Sequence, residues 1–429
     1  MRITAVRSLD LRFPLPPGAG SDAIHSNPIY SLATCALDTD GEVSGTGFSL
    51  TLGAGNDLVC GAIRQYAKYL VGADVDEVME SLGARWHAWA NDGQLRWLGP
   101  QKGVVHLALA AVVGALVDAW ARGRQAPLWR ALLDLTPEEI VALIDFSTVD
   151  DFISRDEAIE LLHQRRLSAA HADDVLQRGY PAYDTSVGWL GYDTRTLVDN
   201  VVRAREAGYG AVKLKVGSPN VEVDVERVGA VREALGEDFL VMIDANQRWS
   251  ASEAILAGRL LAPFDPFWFE EPVHPDDVAA YLAVREALSP MRVAGGEHIP
   301  NQVVFKNFLA SGALDIAQPD VVRLGGLPEY LAVALMAAKR SVPVLPHAGD
   351  MGQVHQHLTF FTRIALGLPE LPLEMIPHLA EHFAEPCEIV GGRYLAPSAP
   401  GASTTIRDES VRRFAVRGTD GLQGFRDAD

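Results

Sequence analysis

Apolar and polar positions change rhythm along this chain. Up to about residue 60 they alternate or run in short blocks. Met1 to Pro14 alternates apolar and charged residues, Leu32 to Leu37 is a short apolar run, and Phe48 to Leu52 alternates again, with Asp40-Gly41 as a turn signal between them. This is the pattern of strands joined by turns. Between residues 61 and 135 the apolar positions recur near every 3.6 residues, as in Val104 to Trp120 and Pro127 to Leu133, and predict helices. Strands followed by helices predict a compact α+β unit.

From about residue 180 short apolar runs recur with helical stretches between them. The runs are Pro181–Ser186, Ala211–Val216, Phe239–Asp244, Phe267–Glu270, Arg292–Glu297, Leu314–Asp320, Val342–His347 and Leu371–Glu374. Their centres lie roughly 20 to 30 residues apart, the size of one βα unit. A helix is expected from Asp193 to Ala207, with Asp193 or Thr194 as N-cap and Gly208 at its end. Another follows Ser250, where Glu253 three residues on completes a capping box. Eight such units predict an α/β fold of the (β/α)8, TIM-type barrel kind, with an open doubly wound sheet as the alternative.

Composition narrows the classes. Apolar residues are 48 % and charged residues 22 % of 429, a globular balance. No run of about 18 unbroken apolar residues suggests a membrane span. The net charge of -19, with no basic run longer than two, disfavours a nucleic-acid or anionic-membrane partner. Cys35, Cys60 and Cys387 are odd in number and far apart, which argues against a disulfide framework or zinc-thiolate site and fits a cytoplasmic setting.

The candidate chemistry lies where the expected strands stop. Seven of them end on ionisable residues: Lys213-Leu214-Lys215, Asp244, Glu270, Glu297, Asp320, His347 and Glu374. In a barrel, active sites are assembled at that end. Asp244, Glu270 and Glu297 would come from adjacent strands. Three carboxylates at one point repel unless a cation holds them, and an all-oxygen donor set favours Mg2+. Lys213 and Lys215, two apart on a strand, share one face. Paired ammonium groups near a divalent cation should depress each other, letting Lys215 act as a base, with Lys213 left charged to pair with a substrate carboxylate. Asp320 behind His347 would fix its tautomer and make a second proton donor or acceptor.

Three other signals carry less. His378-Leu379-Ala380-Glu381-His382 fits an inverted zinc-peptidase pattern but is short. Gly45-x-Gly47 lacks the third glycine of a dinucleotide loop and belongs to a hairpin. His355 and His357, two apart, do not share a helix face, which argues against a joint metal role.

The strand-end set resembles the mandelate racemase subgroup of the enolase superfamily. Local runs are similar to L-fuconate dehydratases: Ser21-Asp22-Ala23, Tyr180-Pro181-Ala182-Tyr183, Gly188-Trp189-Leu190-Gly191-Tyr192, Lys213-Leu214-Lys215-Val216-Gly217, Asp244-Ala245-Asn246-Gln247-Arg248-Trp249 and Pro346-His347-Ala348-Gly349. So, in part, is Asn27–Tyr30, and Ile144-Asp145-Phe146 followed by a helical insertion looks typical of them. The resemblance implies an α+β N-terminal capping domain over residues 1–140, a barrel over 141–390 with an insertion near 150–179, and a segment 391–429 returning to the cap. It implies a Mg2+-dependent lyase, a hydro-lyase, acting on a small sugar acid. L-fuconate or a close stereoisomer would be dehydrated to a 2-keto-3-deoxy acid through an enediolate. Lys215 would take the proton next to the carboxylate, and His347, held by Asp320, would protonate the departing hydroxyl. By matching, Ser21, Asp22, Ala23 and Tyr30 would cover the substrate from the cap, and Asn246 and Glu374 would touch it from the barrel. A homo-oligomer is also implied. A racemase or epimerase, or a dehydratase of another aldonic or aldaric acid, would use the same residues. Ser147, Gly349-Asp350-Met351-Gly352 and Met375-Ile376-Pro377 depart from the family runs, and they bear on which sugar is taken rather than on the reaction type.

Overall fold

The computed structural model describes residues 1–99, 101–349 and 354–416. Ile3–Pro14 (β1), Ile29–Thr39 (β2) and Gly45–Thr51 (β3) form an antiparallel sheet in the order β1-β2-β3. Its register sets Leu11 opposite Leu32 and Leu32 opposite Leu50, so one face is a continuous buried stripe. The helix Val104–Gly123 packs on this sheet. By length and composition that helix could cross a membrane, yet most of it is buried inside the fold. Gly45 and Gly47 permit the contact. A Cβ on them would meet the Ala115 and Ala111 carbonyl oxygens at 2.1 and 2.3 Å. The glycine pair is thus a packing device on β3.

The second sheet is parallel over Tyr180–Asp184 (β4), Ala211–Lys215 (β5), Leu240–Asp244 (β6), Trp268–Glu270 (β7), Arg292–Gly295 (β8) and Ile316–Ala317 (β9). Leu373–Met375 (β10) lies parallel to β4 on its other flank, and the short hairpin Ile389–Val390 (β11) and Arg393–Tyr394 (β12) pairs antiparallel with β4. The expected strands at 314–320 and 342–347 are much shorter than their apolar runs. The second is reduced to one bridge, Ala317 to Val344. Pro319, Pro343 and Pro346 have no N–H to donate, which limits the ladder there. The segment still bonds on both sides. Leu345 donates to the Ala317 carbonyl at 2.9 Å, and Gly349 to the Glu374 carbonyl at 2.8 Å.

Helices lie between the strands as their caps foretell. Thr194–Glu206 begins where the Asp193 side chain accepts the Thr196 amide. Ala251–Leu261 and Arg155–Arg165 each start with a complete capping box, Ser250/Glu253 and Ser154/Glu157. Met242, Trp268, Ala294, Leu345 and Leu373 belong to a buried cluster separate from the larger core that includes the surrounding helices. The chain then returns to the first sheet: Ala415 bridges Leu11, and the Val416 amide donates to the Asp10 carbonyl. Residues 417–429 of the expected returning segment lie outside the described residues, as does Asp350–Gly352 of the run after His347.

Candidate active site

Strand register assembles the site. Lys215 pairs with Asp244, and Asp244 with Glu270, so three charged side chains stand level at the C-terminal ends of β5, β6 and β7. Backbone strain gathers at these ends. Asn246, Gln247, Glu271 and Ala348 all hold positive φ, between 41° and 63°, a conformation that non-glycine residues keep only where their surroundings enforce it.

The expected residues divide into two layers. The lower one is sealed. Lys213 is fully buried and ringed by carboxylates: Glu270, Glu374 at 2.7 Å and Asp244 at 3.3 Å. Glu374 also accepts from the Thr185 hydroxyl at 2.5 Å and the Ala348 amide at 3.0 Å. Glu270 accepts from the Trp268 indole and the Gln318 amide. The upper layer faces a cavity of about 280 Å3, lined from the parallel-sheet side by Lys215, Asn246, Glu297, His298, Arg323 and His347, and from the N-terminal part of the chain by Asp22, His25, Tyr30 and Leu50 among others.

Four of the residues expected to touch substrate stand off the cavity lining. Lys213 and Glu374 do not line the cavity, because each satisfies the other's buried charge. Ser21 and Ala23 stand behind it: the Ser21 hydroxyl accepts the Asn27 amide, and Ala23 packs against Gly217, next to the Lys215 strand. Asp22, Tyr30, Asn246, Lys215, Glu297 and His347 do face it. Burial and Lys213 push the Lys215 ammonium pKa down, but Asp244, 2.5 Å away, with Glu297 and Asp22 together bring the net shift upward.

The dyad is present. His347 Nδ1 lies 2.9 Å from Asp320 Oδ2, and its Nε2 lies 2.8 Å from Glu297 Oε2. Burial disfavours the imidazolium, yet Glu297 and Asp320 raise the His347 pKa well above its ordinary value. Its Nε2 stands at the cavity wall against Glu297. His355 has a structural place beside the dyad. Its Nε2 lies 2.9 Å from the Val321 amide and 3.3 Å from Asp320 Oδ1, and its Nδ1 lies 3.3 Å from the Ala348 carbonyl.

Among the described residues, Glu271, Glu297 and His298 have ligand atoms all within 4.8 Å of one another. Glu270, expected in such a group, is instead tied to Lys213. Asp244, Glu270 and Glu297 nevertheless act on one another. Burial pushes each up and prevails at Glu270, which Asp244 also helps raise to about 8, while Lys215 and Lys213 bring Asp244 down and His347 and His298 bring Glu297 well down. Likewise Glu297 acts against Asp244. Buried carboxylates that repel, with an unpartnered buried Asn246 Oδ1 beside them, form an oxygen-only donor set suited to a hard divalent cation.

Sequence reading missed His25, His298, Arg323 and Trp189 at the cavity. His298 follows Glu297 directly, so the strand end itself carried a signal. The others come from loops whose placement no periodicity reveals. The His-x-x-Glu-His run has no common focus: His378 meets Trp189, His382 meets Ser410, and Glu381 points into solvent.

Comparison with known proteins agrees with this geometry. Residues 196–410 match the family described as enolase C-terminal domain-like. The chain is 42 % identical to the L-galactonate dehydratase of Hypocrea jecorina, over 98 % of this chain and 95 % of that protein. The crystal structure of human mitochondrial enolase superfamily member 1 superposes with a TM-score of 0.94 at 37 % identity, covering 100 % of this chain and 99 % of that one. L-talarate/galactarate dehydratase from Salmonella typhimurium, solved with Mg and L-lyxarohydroxamate, superposes with a TM-score of 0.76 at 27 % identity over 97 % of this chain and 93 % of that one. With strand-end acids, a lysine pair and a His–Asp dyad in one parallel α/β sheet, and relatives matched along nearly its whole length, the chain belongs to the enolase superfamily.

Proposed function

We propose that this protein dehydrates a six-carbon aldonic acid of the L-galacto series, L-galactonate or its 6-deoxy counterpart L-fuconate, to the 2-keto-3-deoxy acid. The observation that carries the reading is that Lys215 and an Asp320-held His347 line the same cavity. The kinship with a named L-galactonate dehydratase supports the sugar series. We also read the parallel sheet as a closed (β/α)8 barrel, since 342–349 bonds to both Ala317 and Glu374. On this reading residues 1–140 and the segment from 391 form one cap over it.

Asp244, Glu270 and Glu297 would hold Mg2+. When bound, the ion supplies Lewis acidity to the substrate carboxylate and takes up the Asp244 charge that otherwise keeps Lys215 protonated. Lys215, freed from that ion pair, takes the proton from C2. The electron pair moves into C2–C3 as the C3–O bond breaks. His347 gives its Nε2 proton to the leaving hydroxyl, which departs as water. The enol then tautomerises to the 2-keto acid. Asn246 and Tyr30 face the substrate volume and orient it, and the cap leucines exclude water.

The test is purified protein with Mg2+ and a panel of aldonic and aldaric acids, assayed for keto product with semicarbazide, against an EDTA-treated control. Turnover of L-galactonate or L-fuconate that EDTA abolishes supports the reading. Turnover of another acid alone keeps the chemistry and overturns the sugar. Solvent deuterium entering at C2 with no keto product would replace dehydration by epimerisation.

A further inference from the structure

Lys215 has one aromatic neighbour whose placement is unusually well fixed. Its ammonium lies 5.5 Å from the Trp189 ring, within cation–π range. Trp189 is 2 % exposed. Its loop lies directly on β5: the Lys215 amide donates to the Gly188 carbonyl at 2.9 Å, and a Cβ on Gly188 would strike the Lys213 carbonyl oxygen at 2.2 Å. The Trp189 carbonyl accepts from Arg227 at 3.0 Å. The indole N–H donates to His378 Nε2 at 3.2 Å, and the two rings stack with centroids 5.8 Å apart. His378 in turn meets the Tyr30 ring from the cap at 6.0 Å. Burial lowers the His378 pKa to about 4, so the imidazole is a neutral acceptor for that N–H.

A residue that only filled space would not need its backbone, its N–H and a ring face engaged at once. We propose that Trp189 is a positioning residue for Lys215, and that His378 holds the indole in the orientation this requires. The proposal rests on the dehydratase reading for Lys215. Once Asp244 is engaged by a cation, the Trp189 face remains to aim the amine at the cavity, with the Gly188 carbonyl fixing the strand backbone beneath it.

The test compares Trp189→Leu, Trp189→Phe, His378→Leu and the Leu/Leu double variant as Mg2+-loaded enzymes. Trp189→Leu is expected to lower kcat about 10- to 30-fold, the scale of a desolvated cation–π contact, with KM within about 2-fold. Trp189→Phe keeps the aromatic face and should lose only about 2- to 3-fold. His378→Leu should fall between the two, and the double variant should match Trp189→Leu within about 2-fold, since the histidine acts through the indole. A kcat within 2-fold of wild type for Trp189→Leu, a loss confined to KM, or additive losses in the double variant would each overturn the proposal. Should Trp189→Leu fail to fold, the Trp189→Phe and His378→Leu pair decides by the same order of effects. If the wild type converts no acid, the dehydratase reading falls by itself. Crystals of wild type and Trp189→Phe/His378→Leu then judge the geometry: a Lys215 amine displaced by on the order of 1 Å supports the proposal, and an unmoved one overturns it.

Discussion

Lys213 and Lys215 stand two residues apart on one strand and share one face, yet they occupy different worlds. Lys213 is closed in by Glu270, Glu374 and Asp244 and reaches no solvent. Lys215 touches a single carboxylate, Asp244, and lines the cavity. Each also lies near an aromatic ring, Tyr183 for the lower lysine and Trp189 for the upper. The difference is therefore in the acids. A cation among three carboxylates is fixed structure. A cation with one, which a metal ion would take over, is poised chemistry.

The largest expected effect breaks the upper layer. Lys215→Ala should lower dehydration by about 10²- to 10⁴-fold, the range for losing a general base. Its melting temperature should stay near wild type, because Asp244 keeps Lys213 as a partner. Keto-product assay beside calorimetry checks both parts. Retained turnover would move the proton transfer away from Lys215.

Next comes the lower layer. Lys213→Met would leave buried carboxylates without their shared cation, and breaking one side of a buried ion network costs about 3–5 kcal/mol. Urea unfolding at pH 7 is expected to show that loss in stability. A change below about 1 kcal/mol would mean that the ring of acids is not held by Lys213, and the division into two layers would collapse.

Much of this was legible beforehand, for physical reasons. Period-2 and period-3.6 patterns located the strands and helices, and Ser250/Glu253 marked a helix start because capping is local chemistry. The strand-end acids, lysines and histidine were found because a strand end fixes position along the chain. What strand ends do not fix is depth. Sequence alone did not separate Lys213 and Glu374, which seal each other, from Lys215, which faces the cavity. Nor did it give the direction of the Lys215 shift, which depends on a 2.5 Å contact between strands. Trp189 and Arg323 arrive from loops, and loops follow no period. The apolar runs at 314–320 and 342–347 overstated their strands because prolines interrupt the ladder.

The dyad offers a smaller effect of the same kind. Asp320 is buried and is held well below the usual carboxylate range: burial opposes this, but His355 and His347 override it. It acts through His347 and does not face the cavity. Asp320→Asn should leave KM nearly unchanged and lower kcat about 10- to 100-fold, as the loss of an orienting partner does. A rise in KM larger than the fall in kcat, measured on the same acid, would place Asp320 against the substrate instead.

Burial without a counter-charge should act in the opposite sense, and His357 tests it. It is fully buried near the Ser403 hydroxyl and the Trp129 amide, with no acid acting on it among the described residues, and burial pushes its pKa down to about 3. His347, equally enclosed but flanked by acids, moves upward. For a histidine whose folded pKa lies below its unfolded value near 6.5, the unfolded chain binds the extra proton between those limits. Its stabilising contribution is thus complete above about pH 6.5 and is lost as pH falls toward 3. The slope for one such group approaches about 1.4 kcal/mol per pH unit. His357→Gln, which still offers Ser403 a hydrogen bond, should flatten the stability curve between pH 6 and 4 by nearly that amount while leaving it unchanged at pH 8. Parallel curves for the two proteins would show that His357 accepts a proton in the folded state, and that burial alone does not set the charge of this interior.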